Sequence, residues 1–243
     1  MENNSLIDGR KMMAELPVIA IIGIDTDIGK TIATGLLGRY LLEQGKRIIT
    51  QKPVQTGCIG LAEDILVHRR LMGQDLQPED HQGLTCSYVF AKPCSPHLAA
   101  SLAGQKIDPA VIRQATRTLT SRYEMVLLEG AGGLQVPYTD EFTFLDYLEQ
   151  EGLPLIVVSS PRLGSINHTL STLELAHARG LTVLGIIYNH YLDHDPLIAE
   201  DSARMFAIYL QRFGYRDCVI DLLGLDQYGS PQRTPDFSPL FME

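Results

Sequence analysis

Apolar residues in this chain gather into short continuous runs separated by longer amphipathic stretches. Five runs read as strands: Val18–Ile22, Arg47–Thr50, Met125–Leu128, Leu155–Ser159 and the longer Leu181–Tyr188. Their apolar positions are consecutive rather than alternate, which is the pattern of strands buried on both faces. Between them, 3.6-residue periodicity predicts helices over Lys30–Glu43, Asp108–Arg122, Phe142–Glu149, Ser165–Arg179 and Leu197–Phe213. Strands alternating with helices imply an α/β fold with a parallel, doubly wound sheet, helices on both faces and right-handed crossovers. No repeat, linker or composition shift divides residues 1–243, so one domain is expected. Three stretches stand outside the alternation. Residues 1–16 form a polar extension. Gly57–Ala103 is a polar, loop-rich excursion with one short helix expected around Ala62–Leu71, and the tail after Cys218 reads as irregular. Ligands of such sheets sit beyond the carboxyl ends of the strands. A long excursion leaving a strand there is expected to be a substrate or lid segment.

The first strand leads into Gly23-Ile24-Asp25-Thr26-Asp27-Ile28-Gly29-Lys30-Thr31. A buried strand, a glycine-bracketed loop and a Gly-Lys-Thr helix start make a P-loop, which cradles a nucleotide triphosphate on backbone N–H groups and a helix N-terminus. Lys30 would reach the β- and γ-phosphates and the Thr31 hydroxyl would ligate Mg²⁺. The usual motif places Gly or Ala where Ile24 stands, so the first glycine here is one residue early.

Charge narrows the partners. A net charge of −9 argues against non-specific nucleic-acid binding or an anionic membrane surface. Well-placed lysines therefore matter for any anionic ligand. The four cysteines show neither a C-x-x-C pair nor metal spacing and read as free thiols of a reducing compartment; with no signal-peptide core near the N-terminus, the cytoplasm is expected.

Two further strand ends carry chemistry. The second strand runs into Gln51-Lys52-Pro53, which points Lys52 toward the phosphate region, where a second cation offsets transition-state charge. The third ends in Glu129-Gly130-Ala131-Gly132-Gly133, a carboxylate suited to a Mg²⁺ shell followed by glycines that let backbone approach a ligand. Glu63 and Asp64 offer another carboxylate, and spacing alone does not choose between them. Pro161–His168 opens a helix after the fourth strand, where Ser165 or Asn167 can act as a cap or free N–H groups can hold a carboxylate.

In combination, Gly23–Thr31, Lys52-Pro53-Val54-x-Thr56-Gly57, Phe90–His97, Glu129–Gly133 and Leu163–His168 resemble the dethiobiotin synthetase family, in that family's order and across about residues 17–190. Its longer Gly-x5-Gly-Lys-Thr spacing accounts for Ile24. The resemblance implies an ATP- and Mg²⁺-dependent ligase that closes the ureido ring of dethiobiotin from 7,8-diaminopelargonic acid and CO₂. The route is a carbamate and its mixed anhydride with phosphate, and ADP and phosphate are released. It implies catalytic roles for Lys30, Lys52 and Thr26, and a nucleotide bound by Asp27, Ile28, Gly29, Lys30, Thr31 and Ile32. Asp64, Glu129, Gly130, Ala131 and Gly132 would add contacts, and Asn189 would meet the adenine. Thr31, Asp64 and Glu129 would share the metal. Thr26, Lys52 and Thr56 would hold the diamine, with its carboxylate tail on Gly164, Ser165, Ile166 and Asn167 across a subunit boundary of a homodimer. Asp221-Leu222-Leu223-Gly224-Leu225 only faintly echoes the family's late nucleotide loop.

A rival of the same fold is a positioning or partition ATPase, a nucleotide switch. Such proteins carry a lysine two residues after the first glycine of the loop, where this chain has Asp25. A ligase of cobalamin synthesis would need a glutaminase unit, which a chain of this length would have to find in another subunit.

Overall fold

The computed structural model describes residues 17–191, 195–225 and 234–242. The expected extension 1–16 lies outside the described residues, as do 226–233 of the tail. Six parallel strands form the main sheet: β1 (Val18–Gly23), β2 (Ile48–Gln51), β5 (Met125–Glu129), β6 (Leu155–Ser159), β7 (Val183–Asn189) and β8 (Val219–Leu222). Their spatial order is β2-β5-β1-β6-β7-β8. Alternate residues of each strand supply two cores. Val18, Ala20 and Ile22 pack on one face with Ile112, Leu148, Leu173 and Phe206. Ile19 and Ile21 pack on the other with Leu36, Leu37, Leu71 and Phe241. One face is therefore covered by α1 (Lys30–Glu43) and α2 (Glu63–Met72), and the other by α5 (Pro109–Thr120), α6 (Phe144–Glu151), α7 (Ser165–Ala178) and α8 (Pro196–Arg212). The doubly wound parallel sheet is borne out.

Helix starts follow local chemistry. Asp108 caps α5 by accepting from the Ala110 N–H at 2.8 Å, with Pro109 at the first turn. Thr143 and Asp146 form a reciprocal capping box at α6. Helix α1 differs: Gly29 precedes it in the left-handed region (φ 96°), with no side-chain cap and no acidic residue in the first turn. Its N–H groups are left free to meet an anion.

Two stretches correct the sequence reading. The excursion contains the strand β4 (Tyr88–Phe90), which pairs in parallel with β3 (Val54–Thr56) just before it, and the short helices α3 (Pro78–His81) and α4 (Pro96–Leu102). It is tied down by Arg69, whose guanidinium donates to both Asp80 oxygens at 2.8 and 2.9 Å and to Thr50 Oγ1 on β2 at 2.9 Å. The tail is not irregular throughout: Val219–Leu222 is the edge strand β8, and a 3₁₀ turn at Ser238–Phe241 buries Leu240 and Phe241. In β8 the outward-facing Asp221 breaks the apolar run by which the other strands of this sheet were recognised.

Helix α2 matters most for the site. It lies against α1 where Gly35 and Gly38 remove side chains; a Cβ on Gly35 would stand 2.7 Å from Leu71 Cδ1. That close seat fixes the height of α2, and with it Asp64 and His68.

Candidate active site

Strand order brings the chemistry together. β5 lies between β1 and β2, with Glu129 paired in register to Ile21 and Leu128 to Gln51. The phosphate loop after β1, Lys52 after β2 and Glu129 at the tip of β5 therefore meet at one sheet edge. They line a cleft of about 1090 Å³ with Thr26, Asp27, Gly29, Thr31 and Ile32. Thr56, Asp64, Ala131, Gly132 and Asn189 also line it. Ile28 and Gly130 do not. Ile28 is buried beneath the loop, and Gly130 packs on Phe144 while its carbonyl accepts from Lys52 at 3.1 Å.

At the centre is a buried ionic cluster. Lys52 Nζ lies 2.7 Å from Asp64 Oδ2 and 2.8 Å from Glu129 Oε1. Thr31 Oγ1 donates to the same Glu129 oxygen at 3.1 Å, and His68 Nε2 lies 2.7 Å from Glu129 Oε2. Glu129 and His68 are wholly buried and Lys52 nearly so. Burial alone would raise the Glu129 pKa, but Lys52 and the His68 hydrogen bond outweigh it and hold the carboxyl well below its ordinary range. Burial alone would likewise lower Lys52, yet Glu129 and Asp64 push its ammonium above the usual lysine value.

Lys30 is set differently. Its Nζ donates to the Asp25 carbonyl at 2.9 Å. Burial, then repulsion from Lys52, draws its pKa down to about 8 against the pull of Glu129, Asp64 and Asp27. Two lysines in one site thus hold opposite shifts. One is locked to carboxylates, and the other is loosely tied and poised to take charge from a ligand.

The choice between Glu63 and Asp64 is made by the docking of α2: Asp64 faces Lys52, while Glu63 points to solvent. Thr31, Asp64 and Glu129 supply only oxygen donors, converging within hydrogen-bond reach of Lys52 or of one another. Hard oxygens of this kind suit Mg²⁺, which takes one or two carboxylates and completes its shell with phosphate and water. Among the described residues no three His, Cys, Asp or Glu side chains form a self-sufficient metal cage, so a metal here would need that phosphate.

Asn189 lines the cleft, but its amide donates to the Ile28 carbonyl at 3.0 Å and so steadies the phosphate loop. Leu223, Gly224 and Leu225, the faint late echo in the sequence, line the cleft beside Asn189 and Tyr191. Gly164, Ser165, Ile166 and Asn167 do not line this chain's cleft. Gly164 caps α7 in the left-handed region without a side-chain cap, and the neighbouring Leu163 is fully exposed. Arg162, in the same loop, reaches back to Asp25 at 2.7 Å. Sequence reasoning missed His68; the available signal was its place one helical turn after Asp64.

A family model described as an AAA domain matches residues 18–212. The ATP-dependent dethiobiotin synthetase BioD 2 of Haemophilus influenzae is 55% identical over 183 residues, covering 75% of this chain and 96% of that protein. The chain belongs to the dethiobiotin synthetase family. A second dethiobiotin synthetase, from Chlorobaculum tepidum, is 52% identical over 206 residues, 84% of this chain and 86% of the relative. Among solved structures, a ParA family ATPase from Chlorobium tepidum aligns over 93% of this chain and 96% of its own with a TM-score of 0.53 at 12% identity, a likeness of fold. Family membership and the Asp25–Arg162 pairing both stand against the switch reading, in which a lysine would occupy position 25.

Proposed function

We propose that this chain is an ATP-dependent dethiobiotin synthetase that closes the ureido ring on 7,8-diaminopelargonic acid with CO₂ in the biosynthesis of biotin. The observation that carries the reading is the joining of Lys30, Thr31, Lys52, Asp64 and Glu129 in one cleft of a chain that belongs to that family. One amine of the substrate takes up CO₂ and loses a proton to give a carbamate. A carbamate oxygen attacks the γ-phosphorus and ADP leaves; the second amine then attacks the carbamoyl carbon, gives up a proton, and phosphate leaves.

The residues divide the work by electrostatics and position. Two anions, the carbamate and the γ-phosphate, must meet, so fixed positive charge is the main requirement. Lys30 exchanges the Asp25 carbonyl for phosphate oxygens and stays charged there. Lys52 already has three acceptors, of which the neutral Gly130 carbonyl is the weakest, so that bond is the one a carbamate oxygen replaces. The hydroxyls of Thr26 and Thr56 orient the uncharged amine and the carbamate, where positioning does most of the catalysis. Mg²⁺, held by Thr31, Asp64 and Glu129, would neutralise charge across the β- and γ-phosphates. The N-terminus of α7 at Gly164–Asn167 serves the carboxylate tail of a substrate in a partner copy, which makes the active form a homodimer. The cytoplasm is the compartment this reading implies. No described helix is long and apolar enough to cross a membrane.

Purified protein given the diamine, bicarbonate and MgATP should release dethiobiotin and phosphate in equal amounts. ATP turnover that ignores the diamine but responds to DNA or lipid would overturn the reading.

A further inference from the structure

The carboxylate of Glu129 is approached from two sides. Its Oε1 meets Lys52 and Thr31, and among the described residues its Oε2 meets only His68. Glu129 already accepts from an ammonium, so His68 is the donor, with its proton on Nε2. The other ring nitrogen, Nδ1, is buried without a hydrogen-bond partner among the described residues. Packing alone does not explain such a residue, since an apolar side chain there would carry no buried, unsatisfied acceptor.

The helix explains the placement. Asp64 and His68 are four residues apart on α2 and so share a face. One element therefore presents both the second carboxylate of the cluster and the donor that closes the first. A carboxylate bound on one oxygen alone can swing about its last torsion. Bound by His68 on Oε2, Glu129 presents Oε1 alone to the cleft.

We propose that His68 is a positioning residue for the ligase reaction, holding Glu129 so that a single oxygen faces Lys52, Thr31 and the metal. The role rests on the metal set of the proposed function. Outer donors to metal-binding carboxylates commonly carry about 10- to 100-fold of metal affinity or activity.

Three variants test it: His68→Leu, which keeps bulk and removes the donor; His68→Gln, whose amide reaches the same place as Nε2; and His68→Asn, polar but too short. Two quantities are read: Mn²⁺ affinity in the presence of ADP by electron paramagnetic resonance, without turnover, and kcat against the Mg²⁺ concentration. His68→Leu and His68→Asn should weaken Mn²⁺ about tenfold or more and lower kcat, while His68→Gln restores both to within a few-fold of the parent. If His68→Leu does not fold, the contrast of Asn with Gln decides. Variants that melt earlier yet bind Mn²⁺ as the parent does would overturn the proposal and leave the metal set standing. Parent protein that binds no Mn²⁺ with ADP present would overturn the metal set, and the role of His68 with it.

Discussion

Lys52→Met removes the cation shared by a buried and a half-buried carboxylate while keeping the length and most of the volume of the side chain. Its ammonium has acceptors at 2.7, 2.8 and 3.1 Å on Asp64, Glu129 and Gly130. Glu129 is fully buried and Asp64 partly so. Deleting one partner of a buried pair leaves an uncompensated charge and costs about 3–5 kcal/mol. Glu129 keeps its bonds from His68 and Thr31, and Asp64 retains some solvent, which places the expected loss near the lower end, about 3 kcal/mol. With a urea slope near ~2 kcal/mol/M, the unfolding midpoint should fall by about 1.5 M. The pH dependence has a defined sign. In the parent, Glu129 is depressed, so its contribution is complete above the ordinary carboxylate pKa and is lost only as pH falls toward its folded value. In the variant burial outweighs the remaining His68 and Thr31 bonds and raises Glu129 relative to the parent, so acid neutralises it and stability returns. The gap between parent and variant should narrow from pH 7 to pH 5. Urea unfolding of both proteins at those two pH values is the assay. A loss under about 1 kcal/mol at pH 7, or a gap that widens in acid, would refute the cluster as the source.

Lys30, with its pKa drawn down to about 8, is about half charged at pH 8 and about nine-tenths charged at pH 7 in the free site. Phosphates restore its charge, so ATP binding should take up about half a proton at pH 8 and about a tenth at pH 7. Calorimetry in buffers of different ionisation enthalpy reads this, and identical heats across buffers at pH 8 would refute it. Gly35→Ala places a Cβ 2.9 Å from Leu71 Cβ and pushes α2 off its seat. The helix-propensity gain of up to about 1 kcal/mol offsets part of an overpacking cost of about 1–3 kcal/mol. Stability should therefore change modestly, while kcat falls about tenfold or more as Asp64 and His68 move; unchanged kcat would sink the claim that this seat sets the site.

Much of the fold could be read along the chain. Five buried strands announce themselves as continuous apolar runs and five helices by period, and their predicted ends fall within about two residues of those observed. The edge strand β8 is broken by Asp221, and β3 and β4 are three residues each, too short to stand out as runs. Phe237, Leu240 and Phe241 sit among prolines and polar residues, so nothing local shows that they complete the core beneath β7 and β8.

The site divides along the same line. The sequence by itself determined the local parts: a phosphate loop whose glycines and uncapped helix start follow from neighbouring residues, a lysine after β2 and a carboxylate at the tip of β5. Tertiary structure decided how those parts meet. Thr31 and Glu129 are 98 residues apart, and Lys52 and Glu129 are 77. They touch because β5 inserts between β1 and β2, an order that no local pattern encodes. Glu63 and Asp64 are equivalent in sequence and point about 100° apart on one helix, so only the seat of α2 on Gly35 and Gly38 chooses between them. The same seat brings His68 beneath Glu129. The opposite states of Lys30 and Lys52 arise only there, because a lysine's charge answers to burial and to the groups within a few ångströms of it, and those are gathered by folding.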